Sequence, residues 1–141
     1  MKYVIVYWSR YGNGEKIVNY IAKKLNGKKA DTKILKTNEL DPKAMPDADL
    51  YVFSAPTEAF SIQRDMKTFM KNLEGMQDKK YAIINTHAMK KSALSKMEKI
   101  LYKKKMIKIA DIDFKIGDGV KEGNGLPQGW QEKVDEFIAK L

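Results

Sequence analysis

Residues 4–14 read VIVYWSRYGNG and place a glycine-rich turn directly after a continuous apolar run. Unbroken apolar character, rather than alternation, is typical of a parallel strand that helices cover on both faces. Beyond the turn at residues 9–14, apolar residues recur at helical spacing over residues 17–25, and Gly27 is suited to end that helix. The stretch therefore predicts a central strand, a glycine turn and an amphipathic helix.

The same strand-and-helix unit recurs along the chain. Residues 50–55 and 81–86 form two more continuous apolar runs, each followed by a loop and by apolar residues at helical spacing. The runs at residues 32–36 and 107–116 are interrupted by charged residues, which suits outer strands. The second of them changes phase near Ala110, and this change predicts a bulge.

Strands that alternate with helices predict a parallel sheet, because parallel neighbours need crossover connections. We expect one α/β domain over residues 1–141, with three α/β/α layers and a doubly wound five-stranded sheet. The strand order 2-1-3-4-5 puts the three apolar strands inside and the two polar strands at the edges, which is the flavodoxin-like arrangement. A ligand then belongs at the switch point between the first and third strands.

The composition limits the chemistry. The chain has 141 residues, no cysteine and a formal net charge of +9. Without cysteine there are no disulfides, thiolate metal sites or cysteine nucleophiles, so redox chemistry would need a bound cofactor. The charge favours acidic partners or anionic cofactors. Because Arg10 and Arg64 are the only arginines, sequence-specific nucleic-acid recognition is not expected. The short apolar runs predict no membrane span, and the amino terminus predicts a cytoplasmic location.

The turn at residues 9–14 has the properties of a phosphate-binding loop. It lies where a strand ends and a helix begins, so backbone N–H groups and the helix dipole converge on one anion-sized space. Gly12 and Gly14 allow a close approach, Ser9 supplies a hydroxyl group, and Arg10 is expected over the phosphate or at its rim. The alternative is an ordinary glycine turn between strand and helix.

Residues 4–14 and the helix after them resemble the FMN-phosphate loop of flavodoxins, and the resemblance extends over the whole chain. Ser9 and Gly12 match the family pattern, whereas Tyr11 stands at a hydroxyl position and Gly14 replaces the usual threonine. The resemblance implies FMN as the cofactor. It also implies a phosphate-binding set made of Ser9, Arg10, Tyr11, Gly12, Asn13 and Gly14.

The loops after the third and fourth strands resemble the two isoalloxazine-binding loops of flavodoxins. The implied contacts are Pro56, Thr57, Glu58, Ala59 and Phe60 in one loop and Thr86, His87, Ala88 and Met89 in the other. Phe60 is expected either to stack on the flavin or to pack against the next helix. Glu58 is either a contact at the flavin edge or a solvated charge. His87 either tunes the redox potential or is a hydrogen-bonded loop histidine.

Two further features, Trp8 and the loop at residues 117–125, are weighed for a role at the cofactor, and the structural interpretation is favoured for each. Trp8 ends a buried strand, so we expect it in the core. Residues 117–125 are expected to form a plain surface loop, and the alternative is a loop that approaches the cofactor.

The pattern favours an electron carrier over an enzyme, since no nucleophile–base pair, clustered carboxylates or Walker A lysine occur. Its partners would be redox proteins with acidic docking surfaces, which Lys90 and Lys91 would attract. One alternative is a small FMN-dependent reductase or oxidase of the NAD(P)H or quinone type, and another is a flavin-free module with a basic surface. A phosphoacceptor receiver domain is rejected, because Ser54 and Ser9 stand where it needs acidic residues.

Overall fold

The structure is a computed structural model that describes residues 1–117 and 119–141. Its strands are β1 (Lys2–Tyr7), β2 (Asp31–Lys36), β3 (Leu50–Glu58), β4 (Ser61–Ile62), β5 (Lys80–His87) and β6 (Ile107–Lys115). Its α-helices are α1 (Asn13–Gly27), α2 (Arg64–Lys71), α3 (Leu94–Lys103) and α4 (Trp130–Ile138), and a short 3-10 helix spans Val120–Glu122. Helices lie between β1 and β2, between β4 and β5, and between β5 and β6, as the sequence predicts, whereas residues 37–49 between β2 and β3 form no helix.

The sheet has the order β2-β1-β3-β5-β6, and each neighbouring pair along this path is parallel. This order confirms the predicted flavodoxin-like arrangement of five long strands. The short strand β4 was not predicted; it pairs antiparallel with the end of β3. The register between β5 and β6 shifts between Tyr81 and Ala82, which leaves Ile109 without a partner and confirms a bulge beside Ala110.

Two apolar layers explain why the central strands are continuously apolar. In β1, Tyr3, Ile5 and Tyr7 pack on the side of α1 and α4. The residues between them, Val4 and Val6, pack on the opposite side with α2 and α3. Successive side chains of a strand point to opposite faces, so a strand with a helical layer on each face needs apolar residues at every position.

The helices begin at the carboxyl edge of the sheet, where the loops after the parallel strands also lie. Polar side chains fix two of these starts: Gln63 accepts a hydrogen bond from the N–H of Met66 (2.9 Å), and Ser92 accepts one from the N–H of Leu94 (3.1 Å). Of the helices in residues 1–117 and 119–141, none has both the length and the apolar character needed to cross a membrane.

Candidate functional site

A cleft of about 320 Å³ opens at the carboxyl ends of β1, β3 and β5. The loops that follow these strands form its walls, as expected at the switch point of a doubly wound sheet. Every predicted site residue lines the cleft except Gly12, Phe60 and Met89. Trp8 and Ile116 also line it, although the sequence did not assign them to a site.

The glycine turn leads directly into α1. Gly12 has a φ of +97°, a left-handed conformation that glycine adopts without steric cost, and its N–H donates a hydrogen bond to Ser9 Oγ (3.1 Å). In the first turn of a helix the N–H groups have no partner within the helix. Gly14 belongs to that turn and lines the cleft. The turn therefore presents the positive end of α1 to the cleft.

Gly14 leaves a small space at the position of the usual threonine. A Cβ atom there would lie 3.7 Å from Ser54 Oγ and 3.8 Å from Ser9 Oγ, which are ordinary van der Waals contacts. The loop backbone thus has the shape that accommodates a side chain at this position. Because Gly14 has no side chain, this space is open to the cleft and is bordered by the Ser9 and Ser54 hydroxyl groups.

The first turn of α1 is also tied to the strand before it. The Tyr7 hydroxyl donates a hydrogen bond to Glu15 Oε2 (3.1 Å). Burial, together with this hydrogen bond, raises the pKa of the Tyr7 phenol to about 12. Tyr7 therefore stays a hydrogen-bond donor at neutral pH and holds the start of the helix against β1.

Residues 123–125 pack against the glycine turn and the first turn of α1. The Gly125 N–H donates to Asn13 Oδ1 (2.9 Å), and Lys16 Nζ donates to Asn124 Oδ1 (2.8 Å). A Cβ atom on Gly123 would lie 2.6 Å from the Tyr11 carbonyl oxygen, so only glycine fits there. These three residues of the expected surface loop therefore pack against the glycine turn, while Asp118 of that loop lies outside the described residues.

Arg10 joins the first loop to the second. Its Nε and Nη2 atoms donate to the two carboxylate oxygens of Glu58 at 2.6 and 2.8 Å, and this ion pair raises the pKa of Arg10. The guanidinium also lies 4.8 Å from the centre of the Trp8 ring. Arg10 thus pairs with Glu58 at the mouth of the cleft, and a contact of Glu58 with the edge of a flavin stays a prediction.

The expectation that Trp8 belongs to the core is wrong. Strand β1 ends at Tyr7, so the next side chain, that of Trp8, lies beyond the buried part of the strand. Trp8 remains half-buried, lines the cleft and packs against Arg10. The backbone N–H of Trp8 donates a hydrogen bond to the Ser54 carbonyl oxygen (3.0 Å), which keeps the backbone of Trp8 beside β3. An aromatic residue at the carboxyl end of a central strand was the available signal.

The second loop is a tight hairpin. Strand β3 continues to Glu58, turns at Ala59 and Phe60, and returns as β4. Both turn residues have positive φ, 50° and 62°, which is the pattern of a type I′ turn. The Phe60 side chain is 66% exposed, so it does not pack against α2 as one interpretation expected. Its stacking on a flavin stays a prediction.

The hairpin turn is a site of backbone strain. A type I′ turn prefers asparagine and glycine, whereas Ala59 and Phe60 adopt positive φ at a steric cost. We expect the double substitution Ala59→Asn/Phe60→Gly to raise the free energy of unfolding by about 1–2 kcal/mol. Urea denaturation followed by circular dichroism measures this change. The single substitution Ala59→Asn should give a smaller gain, and an unchanged free energy in both variants would show that the turn is unstrained.

The third loop is fixed by its histidine. His87 is buried, with Nδ1 2.6 Å from the Met89 carbonyl oxygen and Nε2 3.0 Å from Asp113 Oδ2. Both partners are hydrogen-bond acceptors when the carboxyl group is ionised. A neutral imidazole has one N–H, so both contacts become hydrogen bonds only when the ring carries two protons. His87 is therefore a hydrogen-bonded loop histidine, and its effect on a redox potential stays a prediction.

A buried amide joins the second and third loops. Asn85 is fully buried, and its Oδ1 atom accepts hydrogen bonds from Thr57 Oγ1 (3.1 Å), Ser92 Oγ (3.2 Å) and the Ala93 N–H (3.1 Å). Its Nδ2 atom donates to the Ala55 carbonyl (3.0 Å). Asn85 was not among the predicted site residues, although an asparagine within an apolar run indicates a buried polar group with hydrogen-bond partners.

A family model described as a flavodoxin domain matches residues 4–115. The chain belongs to this family. The matched segment contains all three loops of the cleft, so the resemblance inferred from the sequence is confirmed. A search of curated proteins gave no match for this flavodoxin domain. Membership of the family implies a flavin cofactor and a role as a flavin-dependent electron carrier.

Solved structures share the fold of this flavodoxin domain. A flavodoxin from the domain Archaea is 17% identical with a TM-score of 0.72, and 99% of each chain is covered. The flavodoxin of Streptococcus pneumoniae TIGR4 is 17% identical with a TM-score of 0.78, covering 100% of this chain and 97% of that one. Rubredoxin oxygen:oxidoreductase from Desulfovibrio gigas is 15% identical with a TM-score of 0.82, over 99% of this chain and 34% of that one.

Proposed function

We propose that this flavodoxin domain binds FMN in the cleft and carries electrons between redox proteins in the cytoplasm. One observation carries the proposal: the glycine turn at the amino terminus of α1 opens onto the same cleft that the loops after β3 and β5 enclose. A helix amino terminus favours a phosphate group, and the neighbouring loops provide walls for a planar ring.

The residues of the cleft divide into two groups. The backbone N–H groups of the glycine turn and the Ser9 hydroxyl would hold the phosphate, beside the space left by Gly14. The second and third loops would hold the ring system, with Pro56, Thr57, Thr86, His87 and Ala88 lining that part of the cleft. A bound flavin supplies the electron-transfer chemistry, while the protein positions it and limits its contact with water.

The state of His87 supports a carrier rather than an enzyme. It is the only histidine in the chain, and both of its ring nitrogens face hydrogen-bond acceptors. A general base must have a free nitrogen within reach of the substrate. His87 is therefore engaged by groups of the protein itself, in keeping with a carrier, which needs no catalytic side chain.

Titration of the purified protein with FMN and with riboflavin, followed by visible absorption, tests the proposed function. FMN should bind much more tightly than riboflavin, because only FMN has a phosphate for the glycine turn. A protein that binds neither flavin would contradict the proposal and favour a flavin-free basic module. Steady consumption of NADPH by the FMN-loaded protein, with no electron acceptor other than oxygen, would identify a reductase or oxidase instead.

A further inference from the structure

Exposed apolar side chains are concentrated around the cleft. Tyr11, Phe60 and Met89 are 43%, 66% and 59% exposed, and each belongs to a different loop of the cleft. Among the described residues, the other large exposed apolar side chains are Met1, Tyr102 and Ile107. An apolar cluster on a charged protein surface is typical of an interaction site.

Three exposed basic side chains belong to the loops and the helix start around this apolar cluster. Lys90 and Lys91 follow Met89 directly, are exposed, and form no ion pair within residues 1–117 and 119–141. Arg64 is the first residue of α2, just after the hairpin. Its side chain is 91% exposed, and its Nε atom lies 4.0 Å from Asp65 Oδ1. By contrast, the carboxylate of Glu58 is already paired with Arg10.

We propose that an acidic redox protein docks on a surface of this chain, the docking surface, made of Tyr11, Phe60, Met89, Arg64, Lys90 and Lys91. This proposal rests on the proposed function and names the chemistry of the partner. The exposed cations, above all Lys90 and Lys91, attract carboxylates and orient the encounter, which speeds association. The three apolar side chains lose their contact with water on docking, which contributes a salt-independent part of the affinity.

The test measures binding of an acidic [2Fe–2S] ferredoxin by calorimetry at two salt concentrations, with the full chain before and after FMN is added. Lys90→Glu/Lys91→Glu should raise Kd at least about tenfold at low salt and reduce the dependence of Kd on salt. The matched control is Lys28→Glu/Lys103→Glu, which makes the same charge change at exposed residues following α1 and ending α3. Those helix ends lie at the opposite edge of the sheet, so the control should stay within about threefold of the parent.

The apolar part of the docking surface has its own signature. Phe60→Ser and Met89→Ser should each raise Kd by about fivefold at both salt concentrations, because burial of apolar area depends weakly on salt. Both side chains are exposed, so the fold should tolerate these changes.

Three results would overturn the inference: no ferredoxin binding by the parent protein, equal losses in the two lysine variants, or tighter binding of a DNA duplex than of ferredoxin. Binding of ferredoxin does not require a flavin. A protein that binds ferredoxin through Lys90 and Lys91 but binds no FMN would therefore contradict only the proposed function. FMN binding without ferredoxin binding would contradict only the docking surface.

Discussion

Gly12→Asp is expected to weaken FMN binding at least about tenfold more than Gly12→Asn does. Gly12 has a φ of +97°, and a Cβ atom there would meet nothing within 4 Å, so the two side chains have room and differ in charge. Asparagine and aspartate both tolerate the left-handed region, which makes their backbone costs similar. The carboxylate adds a negative charge at the amino terminus of α1, where we propose the phosphate binds. Fluorescence titration with FMN gives both dissociation constants.

Riboflavin provides the control for the Gly12 variants. It has no phosphate group, so its dissociation constant should be the same for Gly12→Asp and Gly12→Asn. Thermal denaturation of the two proteins establishes that both remain folded. Equal FMN affinities in the two variants would mean that the glycine turn is not the phosphate site.

Asn85→Ala should lower the free energy of unfolding by about 3 kcal/mol. The substitution removes the acceptor for Thr57, Ser92 and the Ala93 N–H, and it leaves the Ala55 carbonyl without its amide donor. Because these partners lie in the second and third loops, FMN affinity should fall together with stability. Urea denaturation measures the first effect, and FMN titration below the unfolding transition measures the second.

Ser92→Ala is the matched control for Asn85. It removes one hydroxyl donor to Asn85 Oδ1 and the acceptor for the Leu94 N–H, and it leaves the other hydrogen bonds of the amide in place. We expect a loss of about 1 kcal/mol. If Asn85→Ala costs no more than Ser92→Ala, the buried amide does not organise the two loops.

The order of the long strands followed from the sequence because burial on two faces leaves a simple pattern. The residues of β1 from Tyr3 to Tyr7 are all buried, so the apolar run identified a central strand without any knowledge of its neighbours. The strand order then placed three loops at one edge of the sheet. The resemblance of Ser9 and Gly12 to a known phosphate loop supplied the expected ligand.

The finer features depended on contacts between distant residues. The Arg10–Glu58 pair joins two loops separated by 48 positions, and no local pattern indicates such a pair. The turn at Ala59 and Phe60 lacks the asparagine and glycine that usually indicate a hairpin, so β4 was not predicted. The burial of Trp8 was predicted wrongly because it depends on where the hydrogen-bonded ladder of β1 ends. The sequence does not show that end.

The hairpin that closes the second loop affects the thermodynamics of ligand capture. Its backbone continues the hydrogen-bonded ladder of β3, and Lys96 Nζ holds the Phe60 carbonyl at 2.7 Å. The chain therefore loses the conformational entropy of this wall when it folds, before any ligand arrives. The cleft is preorganised on that side, and a ligand that enters it needs to order little more than itself.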